Sequence, residues 1–402
     1  MQHELTLITT IAASFGLALL LGVVANRLKL PTLVGYLIAG ILIGPATPGL
    51  VVDVALSQQL AEVGIILLMF GVGMHFSFND LLSVRKIAIP GALFQMSAAT
   101  FLGCIAMLSV GFGLTESVIF GLSLSVASTV VLLRALEARH ALNTDSGKIA
   151  VGWLIVEDVA MVLALVLLPV FVSLSASGQD ISVGDVLTRI LQVMLKIGGF
   201  MALMIIFGQR LLPKVLVAIA QLKSRELSTL GTLAIALGFA YIAYAAFGAS
   251  FALGAFLAGL VLSESEIGHK AAEQSLPMRD AFAVLFFVSV GMLFDPMILL
   301  EGPLLVLLTL AIIIIGKAAA AMAITRLFKQ SREVSLTIAY SLAQIGEFSF
   351  ILAGMALAGG LLSQQLYNLI LAGALLSIAI NPFLFKLLDR QLALPAQQKL
   401  LD

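Results

Sequence analysis

Glu157 and Asp158 are adjacent carboxylates inside the apolar run Ile149 to Val172. That run is long enough to cross a bilayer, which takes about 20 residues. A charge at mid-membrane costs at least ~2.5–3.5 kcal/mol on insertion scales, so an intramembrane carboxylate is read first as a functional group. Lys317 is a third such charge, inside the apolar run Leu304 to Thr325. A lone Lys there is expensive; a Lys facing a carboxylate is not. The three groups are therefore expected to share one polar site. A buried carboxylate can hold a proton or a cation but not both, because burial penalises its bare charge. Neighbours on a helix point about 100° apart. Only one of the pair can face an ion squarely, which leaves the other, Glu157, to meet Lys317.

The elements that carry these groups are membrane helices. The chain has 402 residues, 61% of them hydrophobic and 11% charged, whereas soluble domains carry about 25% charged residues. The formal net charge is zero, so nothing in the charge points to nucleic acid. Cys104 is the single cysteine, which excludes an internal disulfide and a Cys-rich metal motif. His3, His75, His140 and His269 show no metal-ligand spacing, and the last three read as loop or loop-edge residues. The N-terminus Met1-Gln2-His3-Glu4 lacks the basic region of a cleavable signal, so the first helix should be retained.

Thirteen apolar segments are expected to span, near residues 5–25, 31–47, 58–76, 87–111, 115–134, 147–173, 184–209, 226–246, 249–263, 279–296, 303–325, 332–358 and 363–388. The second and ninth are short and rich in Gly. Residues 264–278 read as a polar connector or a short interfacial helix. Of the 22 basic residues, all but Arg189, Lys196 and Lys317 fall in loops after odd-numbered helices or in the tail. The positive-inside rule then places the N-terminus outside and the C-terminus in the cytoplasm.

The chain repeats itself. Gly35, Ala39 and Gly40 correspond to Gly254, Ala258 and Gly259 at an offset of 219. Val72-Gly-Met-His-Phe76 corresponds to Val290-Gly-Met-Leu-Phe294 at 218. That offset spans seven helices, so the second copy (residues 226–388) crosses in the opposite sense to the first (5–173). Helices 1–6 and 8–13 form the two copies. Inverted repeats typify secondary transporters with a midplane site. The same offset maps Ser128 onto Gly346. Ser128/Thr129 and Ile345/Gly346 each lie about 14 residues into a helix, roughly 20 Å deep at 1.5 Å per residue. Both patches are read as breaks, tolerated where the freed backbone lines a cavity.

Several stretches resemble one family. They are Leu30 to Pro45 (LPTLVGYLIAGILIGP), Leu67 to Gly73, Ala127 to Val131, Trp153 to Asp158 and Ala343 to Phe348. Together they are similar to the monovalent cation:proton antiporter-2 family, on its YbaL/Kef-type branch. The resemblance implies an all-α polytopic membrane protein of sodium/proton antiporter fold. It implies thirteen helices, two of them crossed and discontinuous, a homodimer and elevator-type alternating access. It makes Asp158 the carboxylate that binds ion and proton, with Ser128 and Thr129 at the break beside it, and Lys317 the family's basic residue of the eleventh helix. Kef-type efflux proteins have Gln where this chain has Glu157.

The expected partners are protons, K⁺ or Na⁺ and the lipid bilayer, with no metal beyond the transported cation. No cofactor is expected in residues 1–390. Many relatives continue into a cytosolic nucleotide-binding domain, of which residues 391–402 could be the start. Glu347, Gly346 and Gln344 are read as support for the broken twelfth helix, Lys196 as a helix-end residue, and Trp153 as packing or interface. A channel-like, ligand-gated potassium efflux system is the alternative function. The enzyme classes fit poorly: the carboxylates are adjacent on one helix, and no Gly-x-Ser-x-Gly or His-Glu-x-x-His motif occurs.

Overall fold

The computed structural model describes all residues except 1, 48–51, 76–77, 138, 143, 177–187, 189–190, 193–194, 196–197, 201, 248–249, 264–265 and 399–402. Every element assigned among the described residues is helical. In chain order they are α1 (Gln2–Arg27), α2 (Thr32–Ile43), α3 (Val54–His75), α4 (Phe78–Val110), α5 (Leu114–Ser125), α6 (Thr129–Glu137), α7 (Asp145–Ala176), α8 (Gln209–Gln221), α9 (Arg225–Phe247), α10 (Phe251–Ser263), α11 (Glu266–Met292), α12 (Ile298–Glu301), α13 (Pro303–Leu327), α14 (Arg332–Ser341), α15 (Glu347–Ala358) and α16 (Gln364–Gln398). Among the described residues seven helices are long and apolar enough to cross a membrane: α1, α3, α4, α7, α9, α13 and α16. Four apolar helices are shorter: α2, α5, α10 and α15. Large apolar side chains such as Leu19 and Leu20 of α1 and Leu304 and Ile315 of α13 point outward. Water would penalise that surface; lipid does not.

Three sequence expectations change. Residues 264–278 were expected to be a connector or a short separate helix, but from Glu266 onward they belong to the 27-residue helix α11. Good helix formers, Ala271 to Gln274, carry the helix through a stretch too polar to register as a span. The basic segment after the seventh span was expected to be loop and instead contains α8. Leu212 and Leu216, four apart, are buried while Arg210 and Lys214 are exposed, which is the one-sided burial of a surface helix. The last helix runs to Gln398, past its expected end at 388 and into the expected tail. The fifth and twelfth spans are each two helices, as the expected breaks require. Part of the expected span 184–209 lies outside the described residues, with Arg189 and Lys196; its end, Met204–Gly208, is a π-helical turn.

The chain divides into two compact units. The first comprises residues 1–19, 36–77 and 162–293. Its helices meet at backbone contact. A Cβ on Gly40 of α2 would overlap the carbonyl oxygen of Val288 in α11, and a Cβ on Gly259 of α10 would overlap that of Phe70 in α3. Small residues permit such approach between membrane helices.

The second unit comprises residues 20–35, 78–161 and 294–402. Its apolar core includes Ala92 of α4, Leu132 of α6, Trp153 and Leu154 of α7, Ala321 of α13 and Ile338 of α14. Trp153 is fully buried, and a Cβ on Gly91 would run into its indole ring. Ser331 caps α14: its hydroxyl accepts from the Val334 N–H, satisfying one of the donors a helix N-terminus leaves free.

Candidate functional site

The second unit holds every candidate residue, because both broken helices lie in it. α5 stops at Ser125, and Val126 is extended (φ −101°, ψ 136°). The helix resumes as α6 at Thr129. α14 stops at Ser341 and resumes as α15 at Glu347, after an extended Gly346 (φ −133°, ψ −160°). Residues 126–128 and 342–346 are buried, so their backbone groups need partners inside the protein.

The two breaks supply much of that need to each other. The Ser128 N–H donates to Gln344 Oε1 at 2.8 Å, and Gln344 Nε2 donates to the Ser128 carbonyl at 3.2 Å. Gly346 lies so close to Ser128 that an added Cβ would come within 2.6 Å of the Ser128 Cβ. The Ser128 hydroxyl donates to Glu347 Oε2 at 3.0 Å and accepts from the Val131 N–H at 3.2 Å. Ser128 thus caps α6 while tying it to α15.

The carboxylates of α7 approach the first break from the side. Glu157 Oε2 accepts the Ala127 N–H at 2.8 Å, and Asp158 Oδ2 accepts the Thr129 hydroxyl at 3.2 Å. Glu157 is 0% exposed and Asp158 5%. Each keeps one buried oxygen, Glu157 Oε1 and Asp158 Oδ1, with no hydrogen-bond partner. Glu347 and Glu157 are the charged groups that act on Asp158. The three acids sit where half-helix N–H groups point: Asp158 and Glu157 at the start of α6, Glu347 at the start of α15. Helix N-termini favour negative charge.

Lys317 takes the opposite end. Its ammonium donates to the Gln344 carbonyl at 2.8 Å, one of the acceptors freed where α14 stops. The π-helical turn Ile312–Gly316 immediately precedes it in α13; such turns are frequent at functional sites. The expected direct pair between Lys317 and Glu157 is therefore a correction. Among the described residues the ion pairs within 4.0 Å are Arg139–Asp389 and Arg279–Asp280. Lys317 still acts electrostatically on Glu157, but the Gln344 carbonyl competes for its hydrogen bonds, and sequence alone cannot show a freed carbonyl.

Two participants are new. Gln95 of α4 is fully buried and its Nε2 donates to the Ser125 carbonyl at 2.9 Å. Trp153, expected to be packing or interface, donates from Nε1 to Gln95 Oε1 at 3.4 Å. Gln95 is an amide inside an apolar span, the same signal that marked the carboxylates. His140 is exposed in a turn, as expected of a loop residue; the side chains of His3, His75 and His269 lie outside the described ones. The arrangement pairs two half-satisfied buried acids with hydroxyls and open backbone, a chemistry suited to holding a proton or a small cation.

Residues 15–388 match the family described as sodium/hydrogen exchanger, transmembrane. The chain belongs to this family. The exchanger is 55% identical over 393 residues to the protein named cation/proton antiporter YbaL in Escherichia coli (strain K12), covering 98% of this chain and 70% of that one. It is 32% identical over 390 residues to K(+) efflux antiporter 5 of Arabidopsis thaliana, covering 96% and 67% respectively. The fold is that of the sodium proton antiporter MjNhaP1 from Methanocaldococcus jannaschii at pH 8, with TM-score 0.71 at 16% identity, over 96% of this chain and all of that one. The exchanger is accordingly a helical membrane transporter of the cation/proton antiporter type and not an enzyme.

Proposed function

We propose that the exchanger couples the movement of K⁺ or Na⁺ to the opposite movement of protons, with Asp158 as the group for which the two compete. The observation that carries this reading is the unpartnered, buried Oδ1 of Asp158 beside the break at residues 126–128. An ionised carboxylate left in that state is costly. A proton or a bare cation relieves the cost, and occupancy by one excludes the other. Thr129 and Ser128 supply hydroxyls beside it, and Glu157 a second open oxygen. The relatives named as K(+) efflux antiporters favour K⁺ over Na⁺ as the first cation to try.

Access alternates by an elevator movement, in which the residues around both breaks travel with the carboxylate as one body. Support comes from their all falling in one compact unit. The inverted duplication is supported by reciprocal close contacts. Gly40 and Gly259 are counterparts, and the carbonyls they approach, Val288 and Phe70, are counterparts as well. Lys317 serves as a structural support, which makes exchange one for one and electroneutral; its bond to the Gln344 carbonyl favours that role. A homodimer in a bacterial inner membrane, N-terminus outside, completes the reading.

The test is proton flux in proteoliposomes, driven in turn by K⁺, Na⁺ and choline. Flux should follow K⁺ or Na⁺ and vanish with choline and in Asp158→Asn. Cation movement without proton counter-flow would replace antiport with a channel.

A further inference from the structure

The two half-helices that end at the breaks are each held by one fully buried side chain from another long helix. Lys317 of α13 donates to the Gln344 carbonyl beyond α14. Gln95 of α4 donates to the Ser125 carbonyl, the last of α5. The offset of 218 carries Gln95 to Ile313, one helical turn from Lys317. The first break thus has, in nearly the same place, a neutral amide where the second has an ammonium.

The difference has a chemical consequence. An ammonium only donates, whereas an amide donates and accepts. Gln95 uses both ends: Nε2 holds Ser125, and Oε1 receives the Trp153 N–H. Trp153 lies one turn before Glu157 on the carboxylate helix, and its ring is seated against Gly91, one turn before Gln95. α4 therefore fixes the end of α5 and the carboxylate-bearing stretch of α7 with a single side chain. Between those points lie the contacts that set the site, the Ala127 N–H on Glu157 and the Thr129 hydroxyl on Asp158. A peptide that turns at Ser125 re-aims both.

We propose that Gln95 is a positioning residue of the ion site, holding the first break in register with Glu157 and Asp158 and so setting the affinity for the transported cation. The inference rests on the functional reading above. It concerns affinity rather than stability alone, and a substitution can separate the two. Gln95→Glu keeps the shape. Protonated, the Glu donates through its O–H to Ser125 and accepts from Trp153, reproducing both bonds. Ionised, it has no donor and turns a charge on the Ser125 carbonyl.

The experiment measures cation-driven proton flux in proteoliposomes for the wild-type protein, Gln95→Leu and Gln95→Glu, recording apparent KM for the cation, maximal rate and their pH dependence. Gln95→Leu should raise KM roughly tenfold, the factor carried by loss of about one hydrogen bond to a buried group, with a smaller change in maximal rate. Gln95→Glu should match the wild type at acid pH and lose affinity as pH rises, more steeply than the wild type does. If Gln95→Leu does not fold, the pH profile of Gln95→Glu decides alone. Unaltered KM and pH profile, or a fall in maximal rate with KM unchanged, would overturn the proposal. Wild-type protein without flux for K⁺ or Na⁺ would instead overturn the functional reading, and this inference with it.

Discussion

The side-chain amide of Gln344 pairs with both backbone groups of Ser128, taking its N–H at 2.8 Å and serving its carbonyl at 3.2 Å. One amide replaces the helical partner that the Ser128 N–H has lost, and it adds a second donor to a carbonyl that already accepts from the Leu132 N–H at 3.1 Å. Gln344→Leu should strand the Ser128 N–H, at about 1–3 kcal/mol for a buried group left unsatisfied, while the Ser128 carbonyl keeps the Leu132 N–H. Gln344→Glu keeps an acceptor for the N–H and should lose less. Thermal unfolding of the purified variants in detergent measures this, and equal losses for Leu and Glu would mean that the N–H bond contributes little.

Gly346 is required by distance, since its φ of −133° is open to any residue. Its missing Cβ leaves room for the Ser128 backbone, which cannot step aside as a flexible side chain can. Gly346→Ala should push the two breaks apart, lower the yield of monodisperse protein and abolish flux. Gly354, on α15 with open space around it, is the control. Gly354→Ala should be neutral or stabilising by about 0.5–1 kcal/mol, the helix preference for Ala. Size-exclusion profiles and flux of the two variants make the comparison, and similar behaviour of both would remove the steric argument.

Much of this site was legible in the chain because a bilayer makes polarity conspicuous. Glu157, Asp158, Lys317 and Glu347 each stood out against an apolar run, and the 218-residue offset pointed to both breaks within about two residues. Rotation about a helix axis was not legible. The apolar run around it marks Lys317 as a charge in need of a partner but cannot show that a π-helical turn precedes it or that a freed carbonyl receives it. Gln95 carries the same kind of signal as the acids, yet a neutral amide is cheaper to bury than a charge and stands out less. The helix α8 was hidden by its basic residues, although Leu212 and Leu216 have helical spacing.

Asp158 and Glu347 should separate by function. Asp158→Asn cannot bind a cation as a carboxylate does, and exchange should fall by at least two orders of magnitude while the protein stays folded. Glu347 accepts one hydrogen bond from Ser128, which a Gln carbonyl can accept equally well. Glu347→Gln should retain a substantial part of the flux, and Glu347→Leu, which leaves the Ser128 hydroxyl without that acceptor, should lose about 1–3 kcal/mol of stability. Flux and unfolding temperature measured on the same preparations distinguish the residues. Loss of exchange in Glu347→Gln at normal stability would move Glu347 into the ion site.

Lys317 stands between two acceptors, the Gln344 carbonyl that it reaches at 2.8 Å and the Glu157 carboxylate that it influences without direct contact. A direct buried pair, broken by removing one partner, typically costs ~3–5 kcal/mol, and the double variant recovers much of it. A lysine whose main partner is a backbone carbonyl behaves differently. Lys317→Gln should then lose stability through the Gln344 carbonyl whether or not residue 157 is charged. The double variant with Glu157→Gln should come close to the sum of the singles. Because some interaction persists across the gap, a coupling near the low end of the range for neighbouring residues, about 0.5–1 kcal/mol, is expected. The measurement is a double-mutant cycle on unfolding free energy, paired with flux at a clamped membrane potential. Coupling of 3 kcal/mol or more would show that the ammonium and Glu157 meet directly. Flux that depends on the potential would then indicate that the Lys317 proton takes part in each cycle.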